Sequence, residues 1–248
     1  MSPGLADKVV LITGGARRVG ASIARRLHAE GARVAVHYRE SRVEADALVA
    51  ALNSQRSGSA LALQADLLDV ATLPTLVDGV HGAFGRLDVL VNNASTFYPT
   101  PIGTITLAQW DDLMGTNLRA PLFLSQAAAP LLRASRGLIL NITDIHGQRP
   151  LRRHPVYSTA KAGLILLTQS LARELAPEVR VNAIAPGPVM FPAQGLEPAM
   201  EQDIIERTLL KRRGSPEDIA EAAVYFVGHA PYVTGQMLAI DGGRSIRG

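Results

Sequence analysis

The sequence predicts an α/β protein: a single Rossmann-type domain with a doubly wound sheet of seven parallel strands and helices on both faces. Three observations predict it. Short, β-branched apolar runs alternate with segments of helical spacing along almost the whole of the 248 residues. The first apolar run ends in Thr13-Gly14-Gly15-Ala16-Arg17-Arg18-Val19-Gly20, a glycine-bearing turn that opens a helix. No linker, repeat or low-complexity tract divides the chain. Such alternation implies right-handed crossovers and a sheet buried on both sides, which is the doubly wound class.

Each element follows from its local pattern. Lys8–Thr13 is the first strand. Ser22–Glu30 has helical spacing, with Ile23 and Leu27 on one face, and stops at Gly31. Arg33–His37 is the second strand, Glu44–Asn53 a helix and Ala60–Ala65 the third strand. Leu73–Phe84 is a helix closed by Gly85, and Leu87–Val91 the fourth strand. Gln109–Arg133 is one long helical stretch before the fifth strand, Gly137–Ile142. Val156–Leu175 is a helix ended by Pro177, and Val179–Ala185 the sixth strand. Pro216–Val227 is a helix and Gln236–Ile240 the seventh strand. The region Pro186–Ser215 breaks the alternation, with four prolines before a helical-looking Met200–Leu210. Residues 187–215 are therefore read as a substrate loop or lid.

Composition removes several function classes. The absence of cysteine excludes a disulfide scaffold, a thiolate zinc site and thiol catalysis, and no metal site is expected. A charged fraction of 19% beside 47% hydrophobic residues describes a globular chain. The apolar runs, such as Val9–Ile12 and Leu164–Leu167, are too short to span a bilayer. Met1–Asp7 has no basic stretch leading into an apolar one. A soluble, cytoplasmic protein without a membrane partner is expected. The net charge is only +3, and the basic groups Arg17–Arg18, Arg152–Arg153 and Lys211–Arg213 are scattered. No nucleic-acid partner is expected from so weak and dispersed a charge.

The turn after the first strand points to a dinucleotide. Gly14 permits the tight turn, Gly20 permits close packing of helix on strand, and the helix N-terminus offers N–H groups to a pyrophosphate. The second strand ends in His37-Tyr38-Arg39-Glu40-Ser41. Arg39 stands where an NAD site would carry a carboxylate, so Arg39, the Ser41 hydroxyl and Arg17 suit a 2′-phosphate and NADP. A solvated charged loop is the alternative, and Glu40 speaks for it. Asp66, after the third strand, can accept from an adenine amine or can cap the next helix.

Tyr157 and Lys161 lie four apart on a helix and share a face. An ammonium favours the phenolate, so Lys161 is expected to lower the Tyr157 pKa and ready it for proton transfer near neutral pH. Only three of the 25 basic residues are lysines, Lys8, Lys161 and Lys211. Lysine at 161 suggests a need for a compact ammonium. Asp144 follows the fifth strand, thirteen residues before Tyr157, and Asn92-Asn93-Ala94-Ser95 follows the fourth. In an open parallel sheet these positions share the carboxyl edge where ligands bind. A loop-capping role for Asp144 stands beside the functional one.

In order and spacing, the Thr13–Gly20 turn, Asp66, Asn92-Asn93-Ala94, Asn117, Tyr157-x-x-x-Lys161, Pro186-Gly187 and Asp241-Gly242-Gly243 resemble the short-chain dehydrogenase/reductase family along the whole chain. The resemblance implies that Tyr157 is the acid/base, that Lys161 also binds the nicotinamide ribose, and that Asn117 holds a water in a proton relay. It further implies cofactor contacts at Val19, Tyr38, Leu67, Asn93, Ala94, Ser95, Pro186, Gly187 and Val189. It implies a homotetramer with the helices of 109–133 and 156–175 in one interface.

Two departures narrow the resemblance. Arg18 replaces the middle glycine of the usual turn, and Asp144 replaces the serine that holds a substrate carbonyl. A carboxylate would repel the oxyanion of ketone reduction. Both departures are similar to the pteridine reductase branch, as are His37-Tyr38, Gln64–Leu67 and Asn92–Pro101; dihydromonapterin reductases are similar as well. The branch implies that Phe97 stacks on a pterin opposite the nicotinamide, that Ser95 hydrogen-bonds it, and that Arg18 contacts its polar edge. Leu151, Pro188 and Met190 would line the pocket. His154 departs from the tyrosine of that branch. The expected activity is NADPH-dependent reduction of a dihydropterin, dihydrofolate or biopterin-type C=N bond, with Asp144, Tyr157 and Lys161 relaying the proton. A reductase of another carbonyl or imine, or a non-catalytic NADP sensor, are the alternatives.

Overall fold

The computed structural model describes residues 5–189 and 197–246. Its strands are β1 (Val9–Ile12), β2 (Arg33–Tyr38), β3 (Ala60–Gln64), β4 (Val89–Asn92), β5 (Leu138–Ile142), β6 (Arg180–Pro186) and β7 (Met237–Ile240). They form one sheet in the order β3-β2-β1-β4-β5-β6-β7, and every neighbouring pair is parallel. The helices are α1 (Arg18–Ala29), α2 (Arg42–Gln55), α3 (Leu73–Phe84), α4 (Leu107–Met114), α5 (Ala120–Ser135), α6 (Pro155–Leu175), α7 (Pro198–Glu206) and α8 (Pro216–Val224).

The two-residue period of a strand sorts the core. Val10 and Ile12 of β1 pack with α1, α2 and α8 through Ile23, Leu48 and Ile219. Val9 and Leu11 face the other way, with Val77 of α3, Leu124 of α5 and Leu175 of α6. All four side chains are fully buried. Burial of each such aliphatic group stabilises the fold by ~1.5–3 kcal/mol. This two-sided burial is why the central strands lack an alternating polar face. The chain winds outward in both directions from β1, so β1 and β4 flank the topological switch point where an open α/β sheet forms its crevice.

Four expected elements differ. Helix α1 starts at Arg18, four residues before the expected Ser22, because the turn leads straight into helical backbone. The expected helix 109–133 is interrupted. A Thr106/Gln109 capping box starts α4, and a π-helical turn, Gly115–Arg119, separates it from α5. The helical reading of 200–210 ends at Glu206, and that of 216–227 becomes π-helical from Tyr225 to His229. Periodicity reports which face is apolar, and one extra residue per turn barely alters it. Met190, expected to line the pocket, lies outside the described residues, as does part of the expected lid. Among the described residues no helix is long and apolar enough to cross a membrane.

Candidate active site

The carboxyl ends of β1, β2 and β4 meet in a hydrogen-bonded cradle. The Thr13 hydroxyl donates to the Val91 carbonyl and accepts from the Asn93 and Ala94 backbone N–H groups at 2.9 and 3.0 Å. The Asn93 amide donates to the Thr13 and Gly14 carbonyls at 2.9 and 3.1 Å. Asn93 is thus a brace for the turn. A Cβ on Gly20 would sit 2.4 Å from the Gly14 carbonyl and 2.6 Å from the Asn93 amide nitrogen. Only glycine lets the first turn of α1 press onto β1 and β4 in this way.

A histidine that sequence reasoning assigned no role holds the same cradle from beneath. His37 is 2% exposed. Its Nδ1 accepts from the Gly14 N–H at 3.1 Å, and Nε2 lies 3.1 Å from the Ala65 carbonyl. A carbonyl only accepts, so Nε2 carries the proton and the ring is neutral. Burial pushes its pKa down to about 4. The signal was present as a histidine inside an apolar strand, but its partners lie 23 and 28 residues away in sequence.

Around the cradle, Arg17 and Arg18 are exposed at the start of α1. Arg18 has φ +53°, the left-handed conformation that glycine usually takes. Holding it there costs about 1–2 kcal/mol. Val19 packs partly against the core. Arg17 pairs with Glu44 at 3.5 Å and Arg39 with Glu40 at 3.2 Å. Both are exposed pairs worth about 0–1 kcal/mol, so either guanidinium can be re-paired at little cost. Arg39, Glu40, Gln64, Ala65 and Asp66 line a cleft of about 540 Å³. The Ser41 hydroxyl makes no capping bond with α2. Asp66 accepts from the Leu68 N–H at 2.9 Å, closing its own turn, while Asp69 caps the next. The side chains of Tyr38, Leu67 and Val189 are buried in the core beside this edge. Pro186 ends β6, and Gly187 donates to the Ile240 carbonyl at the same edge. These residues fit a dinucleotide: a glycine turn without room for Cβ on Gly20, at the N-terminus of a helix.

The second half of the site is built where β5 approaches α6. Asp144 Oδ1 accepts from the His146 N–H at 2.8 Å and caps the short turn Ile145–Gly147. Gly147 lies so close to α6 that a Cβ would be 2.9 Å from the Lys161 carbonyl carbon. This approach brings Asp144 Oδ2 to 2.7 Å from the Tyr157 hydroxyl, which donates to it. The capping role and the functional placement of Asp144 hold together, one on each oxygen.

Lys161 is fully buried; Nζ donates to the Ile142 carbonyl at 3.0 Å and lies 5.7 Å from the Tyr157 ring centre. The expected lowering of the Tyr157 pKa is reversed. Burial and the neighbouring Asp144 carboxylate hold it well above the usual phenol value. Burial in turn lowers Lys161 to about 8, against the attraction of Asp144. The phenol is a neutral donor to Asp144. The spacing that pairs Tyr157 with Lys161 contained no information about Asp144.

Ser95 donates to Asn117 Oδ1 at 2.7 Å, and its contact with Tyr157 works against the upward shift. Asn117 is buried in the π-helical turn, its amide donating to the Thr96 and Leu113 carbonyls at 3.0 and 2.9 Å. The π-turn is therefore what points Asn117 into the site. Phe97 is 56% exposed and meets the Tyr157 ring edge-on at 4.8 Å. One face of Phe97 is stacked on His154, with centroids 4.7 Å apart and planes 8° from parallel. That face is covered, which qualifies the expected slab: a flat ligand has the other face to use. Leu151 and Pro188 are half-buried at the rim. No cluster of metal-ligating side chains exists among the described residues.

A family model described as enoyl-(acyl carrier protein) reductase matches residues 14–245. Pteridine reductase 1 of Leishmania tarentolae is 36% identical, over 96% of each chain. The 3-oxoacyl-[acyl-carrier-protein] reductase FabG of Staphylococcus aureus strain Mu50 is 35% identical, over 95% of this chain and 97% of its own. Sequence identity alone barely separates the two.

Proposed function

The chain belongs to the short-chain dehydrogenase/reductase family of oxidoreductases, and we propose that it is an NADPH-dependent reductase of pterins. The observation that carries this reading is Asp144, hydrogen-bonded to Tyr157 at 2.7 Å where a carbonyl-reducing site carries a serine. A fixed carboxylate opposes a growing oxyanion but suits delivery of a proton to a basic ring nitrogen. Reduction of a pterin C=N bond needs a hydride on carbon and a proton on nitrogen, and NADPH, when bound, supplies the hydride.

The chain's own groups handle the rest. The Tyr157 hydroxyl holds one Asp144 oxygen in place, while the His146 N–H fixes the other. Asp144 takes a proton from water and gives it to the ring nitrogen. Lys161, held by the Ile142 carbonyl, offsets the negative charge left behind. Asn117 accepts from the Ser95 hydroxyl and so fixes Ser95 beside Tyr157. The free face of Phe97 and the Arg18 guanidinium suit a flat heteroaromatic with a polar edge. Ser95, Leu151, Pro188 and Met190 complete the proposed pocket. Gly14, Arg17, Arg18, Val19, Gly20, Tyr38, Arg39, Ser41, Asp66, Leu67, Asn93, Ala94, Ser95, Tyr157, Lys161, Pro186, Gly187 and Val189 form the proposed NADPH site. The reading includes one reductase domain with a lid around 187–215, and a homotetramer.

The test is NADPH consumption with a panel of dihydropterins beside acetoacetyl thioesters, repeated with NADH. Turnover of pterins with NADPH, and a preference over NADH that collapses in Arg39→Ala, supports the reading. A second reading has one specific observation in its favour: His154 covers a face of Phe97. Acetoacetyl reduction with no pterin turnover would establish that reading, a ketoacyl reductase, instead.

A further inference from the structure

The chain between β4 and α4, residues 93–106, is neither strand nor helix. It carries Ser95 and Phe97, so two proposed substrate contacts stand on backbone that no ladder holds. A ring on such backbone is placed only as well as its neighbours are anchored.

The residues of this segment alternate. Ser95, Phe97 and Pro99 are exposed, Thr96 and Tyr98 are half-buried, and Thr100 is buried. This is the two-residue period of extended chain, with one row open and the other turned into the protein. Each member of the inward row is tied to a different element. The Thr96 carbonyl accepts from the Asn117 amide at 3.0 Å. The Tyr98 hydroxyl donates to Asp112 Oδ2 of α4 at 2.9 Å. The Thr100 N–H donates to the Arg153 carbonyl, just before α6, at 2.7 Å.

The outer two ties use backbone atoms. The middle one joins two side chains, and it acts on the residue next to Phe97. Tyr98 also packs against the small apolar cluster of Leu113, Val156 and Tyr157, and Phe97 meets that same Tyr157 ring edge-on at 4.8 Å. Burial and the Asp112 carboxylate push the Tyr98 pKa up to about 12, so the hydroxyl remains a donor at neutral pH. Its acceptor has a fixed support. Helix α4 is capped at its start by Thr106 and Gln109, and it runs directly into the π-helical turn that carries Asn117.

We propose that Tyr98 and Asp112 are a positioning pair, whose hydrogen bond fixes the Phe97 ring in the orientation that stacks on a flat substrate. The proposal rests on the pterin reading for the ligand that stacks. A hydroxyl–carboxylate bond is charge-assisted and directional, which suits it to setting the angle of a neighbouring ring.

The test reads KM, kcat and melting temperature. Tyr98→Phe keeps the ring and removes the bond, Asp112→Ala removes it from the other side, and Asp112→Asn keeps an acceptor. Tyr98→Phe and Asp112→Ala should each raise KM for a dihydropterin about three- to tenfold, with kcat and the NADPH Kd within about twofold. The double variant should be no worse than either alone, and Asp112→Asn should stay near the unaltered enzyme. In a Phe97→Leu background, Tyr98→Phe should add almost nothing to KM. A lower melting temperature with KM unmoved overturns the proposal, as does a rise in KM that is equally large once Phe97 has been replaced. Absence of dihydropterin turnover by the unaltered enzyme overturns the pterin reading instead. The pair is then decided by hydrogen exchange at the Thr100 N–H. Faster exchange in Tyr98→Phe and Asp112→Ala, but not in Asp112→Asn, supports it, and any other pattern refutes it.

Discussion

The two halves of the site are assembled by different means. The cofactor half, around β1, β2 and β4, is a closed set of backbone-centred bonds: Thr13 to Val91, Asn93 to Thr13 and Gly14, His37 to Gly14 and Ala65. The substrate half is held by side chain on side chain: Asp144 on Tyr157, Ser95 on Asn117, Phe97 on His154. The first half is a preorganised cradle whose shape depends on what is too small to clash. The second depends on the chemistry of a few exchangeable groups. A family can vary its substrate in the second without disturbing the first, and the Asp144 and His154 departures both fall there.

Four substitutions break or sharpen this contrast. Asp144→Ala should have the largest effect. Loss of a positioned general acid lowers kcat for pterin by about 10²–10⁴, while NADPH binding, followed by fluorescence titration, stays within about twofold. Near-wild-type turnover would refute the proton-delivery role.

The next acts on the cradle. His37 is neutral in the fold with a pKa of about 4 against a reference of 6.5. The unfolded chain binds the extra proton between those values. The neutral ring's stabilisation is therefore complete above about pH 6.5 and is lost as pH falls to about 4, a change of about 3 kcal/mol. His37→Gln should flatten that part of the denaturation-midpoint profile and weaken NADPH binding without changing the kcat of the loaded enzyme. An unchanged profile would show that the imidazole is no such brace.

Gly20→Ala places a methyl against the Gly14 carbonyl and the Asn93 amide. Overpacking of this kind costs about 1–3 kcal/mol. The expected result is a lower melting temperature together with a weakened NADPH Kd, whereas loss of stability alone would separate the turn from the cofactor. The smallest effect belongs to Phe97→Leu, which removes a ring contact worth about 0.5–1.5 kcal/mol. KM for pterin should rise severalfold with stability unchanged. No change in KM would move the ligand away from this ring.

Much of the cofactor half was legible in the chain. Gly14 and Gly20 at fixed offsets from an apolar run imply a tight turn before a helix, and seven such runs imply the sheet. Arg39 at the end of the second strand was legible as a charge where NAD would want an acid. The substrate half was legible only in part. The Tyr157–Lys161 spacing places both on one helical face, yet Asp144 sets the protonation of that face from another strand. The π-helical turn at 115–119 was invisible because it changes the direction of Asn117 while leaving the apolar pattern intact.

The sequence by itself determined the doubly wound sheet, the order of its elements and the glycine turn, because periodicity and backbone sterics act over a few neighbouring residues. Only the tertiary structure decided that Tyr157 is a neutral donor and that His37 is a neutral brace. Protonation and electrostatic potential depend on burial and on partners that the chain brings together from tens of residues apart, and those distances exist only once it is folded.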